Sequence, residues 1–305
     1  MNPQPPAPIL QSARVTAARP GPGSARARRF RRRRVAVALL SVLTLAGCAG
    51  LGLGDPDRAD AGGREGVTIE RGSLLSGKGC TSATTSFRPR RPRTAVPVIL
   101  APGFLRDQSH LAGLALALAG AGIPAVTLDP CHSRPWDGRP VRNALDMIAL
   151  ARRRGARPVV YGGFSAGALA ALIAGRLDPH SRGVLTLDLV DHAGLGVGMV
   201  RALDRPLIGL AGEPAACNAQ GNGLRVFALA RGARVTRIPG ASHCDFEAPT
   251  DWLCESVCSG VDPESPARRR AIIAAAVAVA ADLVGLPGTG RVARDHGRDL
   301  SRPGR

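Results

Sequence analysis

From about residue 95 onward, short apolar, β-rich runs alternate with longer stretches whose apolar positions recur at helical spacing. The runs fall at 96–100, 125–128, 158–161, 183–187, 206–210 and 234–238, most of them bounded by Gly or Pro. Helices are predicted between them at 109–121, 141–153, 165–176 and 223–231. Alternation of this kind implies an α/β fold, a mostly parallel sheet with helices on both faces. A last helix is predicted over 266–286, with Ser265 as its N-cap and Pro266 at the first helical position. Residues 48–94 are rich in Gly, Arg and Ser without clear periodicity and read as a tether leading into an edge strand or two. Residues 95–286 form the catalytic-domain candidate, and residues 287–305 read as a disordered tail. No internal repeat is visible.

The first 47 residues change this picture, because they read as an address rather than as structure. Residues 28–34 are nearly all arginine and are followed directly by the apolar run 35–45. That run is shorter than the about 20 residues needed to cross a bilayer core, and it fits the apolar region of a secretory signal. A transmembrane anchor is the weaker reading. The run ends in Leu45-Ala46-Gly47-Cys48, which resembles the lipobox of bacterial lipoproteins, where the cysteine is lipidated. Export to the cell envelope, with membrane attachment through Cys48, is the expectation. An ordinary signal peptide cleaved nearby is the alternative. Residues 1 to about 25 precede the usual charged region and are compatible with a start codon placed too early.

The formal charge of +18 suggests a nucleic-acid partner until its distribution is considered. Nine arginines and no acidic residue precede Cys48, which leaves 32 basic against 23 acidic residues beyond it. The excess is concentrated locally only at Arg88-Pro89-Arg90-Arg91-Pro92-Arg93, with almost no aromatic interleaving for base stacking. No nucleic-acid partner is expected, and the domain is read as a monomer. Apart from Cys48 there are Cys80, Cys131, Cys217, Cys244, Cys254 and Cys258, an even number that suggests at least two disulfides in an exported chain. Zinc at Cys244, Cys254 and Cys258 is the rival reading, but no C-x-x-C pair with the usual partner spacing is present, so no metal is assigned.

The chemistry rests on three segments. Gly163-Phe164-Ser165-Ala166-Gly167 has the G-x-S-x-G form of a nucleophile elbow, and it falls where an expected strand turns into an expected helix. With 38 glycines in the chain the pattern alone is weak; its position gives it weight. A serine hydroxyl needs a base, and His243, 78 residues past Ser165, follows the last expected strand in the chain order of this type of site. His110, His132 and His180 sit beside the wrong elements, His192 is a weaker rival, and His296 is in the tail. The oxyanion hole would be the amides of Ala166 and of Phe104, the latter in the turn after 98–101.

Pro102-Gly103-Phe104, the elbow, Leu187-Asp188-Leu189-Val190-Asp191 and Ser242-His243-Cys244-Asp245 together resemble the chlorophyllase-like and dienelactone-hydrolase-like branch of the α/β-hydrolases. Polyester hydrolases related to cutinase share much of this pattern. The resemblance covers about residues 95–286. It implies an eight-stranded core, a Ser-His-acid triad and carboxylic-ester hydrolysis without a cofactor. The acid stays open. Asp188, at the end of 184–187, matches the acid position of chlorophyllase-like proteins and is preferred. Glu213 occupies the commoner location after the next strand, although the polyester-hydrolase pattern would place an aspartate where this chain has Ala215. Asp191 is the third candidate. Phe104, Trp136, Met199 and Trp252 could line the pocket or simply pack in the core and loops. With aromatics at only 3% of the chain, a small-molecule, lipid or polyester ester is favoured over polysaccharide. A non-catalytic binding lipoprotein on the same fold is the alternative, and a peptidase or acyltransferase would look the same in sequence.

Overall fold

The computed structural model describes residues 66–76, 79–131, 139–260 and 262–287. The signal and lipidation readings at 1–48, the tether up to 65, His132, Trp136, His296 and the tail from 288 lie outside the described residues.

Eight strands form one sheet in the order β1-β2-β4-β3-β5-β6-β7-β8. They are β1 (Val67–Leu75), β2 (Thr81–Pro89), β3 (Val98–Ala101), β4 (Ala125–Leu128), β5 (Val159–Phe164), β6 (Ser181–Leu187), β7 (Leu207–Ala211) and β8 (Arg234–Arg237). β2 runs antiparallel to both β1 and β4, and the remaining pairings are parallel. The edge strand or two expected ahead of residue 95 are β1 and β2, which pair over nine residues each. Their hydroxyl-rich, half-exposed faces give no continuous apolar run because an edge hairpin buries only one side.

The helices are α1 (Ala112–Gly120), α2 (Pro140–Arg153), α3 (Ala166–Leu177), α4 (Leu195–Val200), α5 (Leu224–Leu229), α6 (Trp252–Cys254) and α7 (Ser265–Val284). Successive strand residues point to opposite faces, and two apolar clusters result. Val98, Leu100, Val160 and Leu185 pack with α1 and α7, while Ile99, Ala101, Tyr161 and Val184 pack with α2 and α3. β3 and β5 are buried at every position, which is why their sequences are continuously apolar. α3 is rich in small residues for a reason visible in its contacts: a β-carbon on Gly175 would come within 2.2 Å of Val184 on the sheet. No helix among the described residues is long and apolar enough to cross a membrane.

Two local expectations change. Ser265 is the first residue of α7 and not its cap, and its hydroxyl donates instead to the Asp245 carboxylate. α4 was not expected, because its Gly-rich segment carries little helix propensity and is held by packing of Leu195, Val197 and Val200 against the α2–α3 side.

Candidate active site

The parallel strands end at one edge of the sheet, and the loops leaving that edge carry all the residues singled out for chemistry. Ser165 sits between β5 and α3 with φ 55° and ψ −118°, a conformation that non-glycine residues avoid at a cost of about 1–3 kcal/mol. The surrounding structure enforces it. A β-carbon on Gly163 would lie 2.3 Å from the Gly167 carbonyl oxygen, and one on Gly167 would lie 2.2 Å from that of Ala101. Only glycine at these two positions lets the turn close and α3 press on the end of β3.

His243 lies in the single turn after β8, 6% exposed. Its Nε2 is 3.0 Å from the Ser165 Oγ, and its Nδ1 is 2.6 Å from the Asp188 Oδ2. With the proton on Nδ1, the ring donates to Asp188 and is free to accept from the serine hydroxyl. The Phe164 ring lies against the imidazole at a centroid distance of 4.6 Å and limits its rotation. Asp188 is buried at the end of β6 with φ 42°, and its Oδ1 accepts from the Gly212 amide at 3.0 Å.

Glu213 and Asp191 do not reach the histidine. Glu213 is half-exposed, 3.9 Å from Arg237, and accepts from the Gly240 amide. Asp191 accepts from the amides of Gly196 and Val197, capping the start of α4. Ala215 donates its amide to Asn218. Of the other histidines, His110 contacts Asp107 and Asp251, His180 contacts Asp178, and His192 is exposed.

Ala166 begins α3, so its amide belongs to the first helical turn, where no carbonyl is available within the helix. A β-carbon on Gly103 would come 3.2 Å from the Ser165 β-carbon, so the turn carrying Phe104 abuts the serine. Neither the Phe104 nor the Ala166 amide donates to another described residue. Phe104 is 44% exposed and Trp252 75% exposed, whereas Met199 packs against the apolar cluster beneath α2 and α3.

Two supporting features escaped the sequence, as did the pairing of the cysteines expected to form disulfides. Asn218, fully buried, donates to Asp188 Oδ2 at 3.2 Å and to the Glu213 carbonyl at 2.8 Å, while its own oxygen accepts from Ala215 and Gly221. Every hydrogen-bonding group of that side chain is thereby used, which fixes the amide that faces Asp188. The signal, an asparagine beside a cysteine, is too common to single out. All six cysteines beyond Cys48 are paired, as Cys80–Cys131, Cys217–Cys258 and Cys244–Cys254. The candidate zinc trio is therefore disulfide-bonded. Two of the bridges begin at the immediate neighbours of Asn218 and His243 and restrain the loops that carry them.

The second feature is Arg106, which reaches from the turn after β3 to the loop after β8. Its Nε and Nη2 donate to the two oxygens of Glu247 at 2.6 and 2.7 Å, and Nη2 lies 3.0 Å from Asp251. Burial lowers the Arg106 pKa, but the bonds to Glu247 and Asp251 outweigh it and the pKa is raised; the same arginine, first among its partners, holds Asp251 well below the ordinary carboxylate range. Glu247 is fully buried, so Arg106→Ala strands a charge. Its unfolding free energy in urea titration should fall by about 3–5 kcal/mol, with Arg106→Lys recovering only part because lysine lacks the two-pronged geometry.

No family model matches the sequence, and no curated protein matches it. Solved structures do resemble it. A dienelactone hydrolase from Anabaena variabilis superimposes with a TM-score of 0.54 at 17% identity, over 69% of this chain and 95% of that one. A hypothetical protein from Pseudomonas aeruginosa gives 0.52 at 15% identity, over 68% and 95%. At such identities the likeness establishes the fold: this chain has the α/β-hydrolase fold, with a mostly parallel eight-stranded sheet.

Proposed function

We propose that this protein is a serine hydrolase of carboxylic esters, exported and attached to the cell envelope through Cys48. The observation that carries the catalytic reading is the continuous hydrogen-bonded line from Ser165 Oγ through His243 to Asp188, 3.0 and 2.6 Å per step, ending at a strained serine beside two unpaired amides. In this reading the Ser165 hydroxyl gives its proton to His243 Nε2 as its oxygen attacks the ester carbonyl carbon. The oxyanion is held by the amides of Phe104 and Ala166, and Asp188 stabilises the imidazolium. The imidazolium then protonates the departing alkoxide. Water, deprotonated by the same histidine, releases the acid from the acyl-enzyme. Every step is carried by the chain's own residues.

Phe104 and Leu105 lie exposed in the loop after β3, and Trp252 lies exposed at the start of α6 beyond the His243 turn, which favours an apolar acyl group. Export is supported by the lipobox-like Leu45-Ala46-Gly47-Cys48 and by three disulfides, a number that fits an oxidising compartment.

A fluorophosphonate probe applied to the full chain tests the mechanism, because it reacts only with an activated hydroxyl. Adduct mass mapped to the peptide containing Ser165, together with turnover of short-chain p-nitrophenyl esters, is expected. An unlabelled serine in folded protein would end the proposal and leave a binding protein on a hydrolase scaffold.

A further inference from the structure

Because β3 to β8 are parallel, the domain has two ends of different chemistry. The loops at the strands' carboxyl ends hold the candidate triad and carry acidic residues, among them Asp107, Asp129, Glu213 and Asp251. The amino ends carry arginine. Two clefts of about 650 and 720 Å³ open there, neither touching the triad. Arg88, Arg153, Arg154 and Arg157 line the first; Arg201 and Arg231 line the second, together with Asp204 and the ion-paired Arg205 and Arg234.

Arg88, Arg153, Arg154, Arg157, Arg201 and Arg231 are all exposed, and except for Arg88, which meets Glu70 at 3.2 Å, none of the six forms an ion pair with a described residue. Unpaired arginines converging on a concave surface are an unusual use of charge, since they repel one another. Desolvation is the largest cause of the lowered Arg154 pKa, and the nearby Arg88 and Arg153 charges add to it, with Glu70 only partly compensating. An arriving anion would relieve that repulsion, and guanidinium groups suit phosphate oxygens because they can offer two parallel donors.

The chain enters the domain at this same end. β1 begins at Val67, paired with Pro89 next to Arg88, and 18 residues separate Val67 from Cys48. A lipid on Cys48, as proposed above, would attach the chain to a bilayer 18 residues ahead of this strand.

We propose that the amino-end face of the sheet docks on an anionic phospholipid surface, its arginines against headgroup phosphates, with the acidic end and Ser165 turned away from the bilayer. Charge complementarity and the side on which the chain enters select this occupant. The near absence of exposed aromatics among these arginines argues against single-stranded nucleic acid. The proposal is independent of whether Ser165 is a nucleophile.

The test is binding of the full chain to phosphatidylcholine vesicles with and without phosphatidylglycerol at physiological salt. Arg153→Glu/Arg157→Glu is compared with Arg225→Glu/Arg270→Glu, which changes net charge equally at the acidic end. Both retain the arginines at 28–34. Each basic residue at an anionic surface contributes roughly fivefold, so the first variant should bind anionic vesicles at least about 25-fold more weakly and the second within about threefold of wild type. Should the reversal fail to fold by thermal melting, Arg153→Gln/Arg157→Gln is read in the same way, with at least about a tenfold loss expected. Equal losses in the two variants, or no loss in the first, overturn the proposal. So does a loss toward duplex DNA with vesicle binding intact, which would make the face a nucleic-acid surface.

Discussion

Ser165→Ala should lower kcat/KM for p-nitrophenyl esters by roughly 10⁶-fold, about 8 kcal/mol of transition-state stabilisation at about 1.36 kcal/mol per decade. The loss is this large because the three side chains act as a unit: without the hydroxyl, neither His243 nor Asp188 has anything to deliver. Some acceleration over water should survive, since the amides of Phe104 and Ala166 would still receive a developing oxyanion. Folding should not suffer. Alanine keeps the same backbone strain at φ 55°, and Ser165→Gly, which tolerates that conformation, should raise the unfolding free energy by about 1 kcal/mol while being equally inactive. Stability gained with activity lost would be hard to reconcile with a serine placed there by packing alone.

The second large effect discriminates among the carboxylates. Asp188→Asn should reduce kcat by roughly 10⁴-fold with little change in KM, because an amide in that place favours the wrong histidine tautomer and leaves the imidazolium without its counter-charge. Glu213→Ala should stay close to wild type, as its side chain faces solvent and Arg237. Asp191→Ala should cost about 1 kcal/mol of stability through the lost cap on α4, again with nearly unchanged kcat. A steady-state comparison of the three variants at one pH checks the assignment. If Glu213→Ala were the inactive one, the 2.6 Å contact between His243 and Asp188 would not be the catalytic one.

The support around Asp188 meets the hydrogen-bonding needs of this buried side chain. It receives the Gly212 amide and the Asn218 side chain besides the imidazole, so its oxygens are satisfied without water. Gly212 itself admits no side chain, because a β-carbon there would come 2.7 Å from the Ala241 carbonyl oxygen in the loop leading to His243. The acid and the base are thus positioned by loops pressed directly against each other and braced by the bridges Cys217–Cys258 and Cys244–Cys254. Arg106 performs the same task across the site, joining the turn that carries Phe104 to the loop beyond His243.

Local pattern was enough for the parallel part of the sheet, the helices covering it other than α4, and the elbow. Buried strands must be continuously apolar, and a strand that turns sharply into a helix around a serine must have glycine on both sides, so those features are written in runs of neighbouring residues. The choice between Asp188 and Glu213 was not written there. Both follow apolar strands, and only the positions of β6 and β7 in the sheet, with the backbone of Asp188 at φ 42°, decide which side chain turns toward a histidine 55 residues further on. The cysteine pairing, the Arg106–Glu247 ion pair and the separation of charge between the two ends of the sheet are likewise relations between segments far apart in the chain. Composition records that the arginines are numerous; the parallel direction of the strands, a tertiary property, is what brings Arg88, Arg153, Arg154, Arg157, Arg201 and Arg231 to the end opposite Ser165.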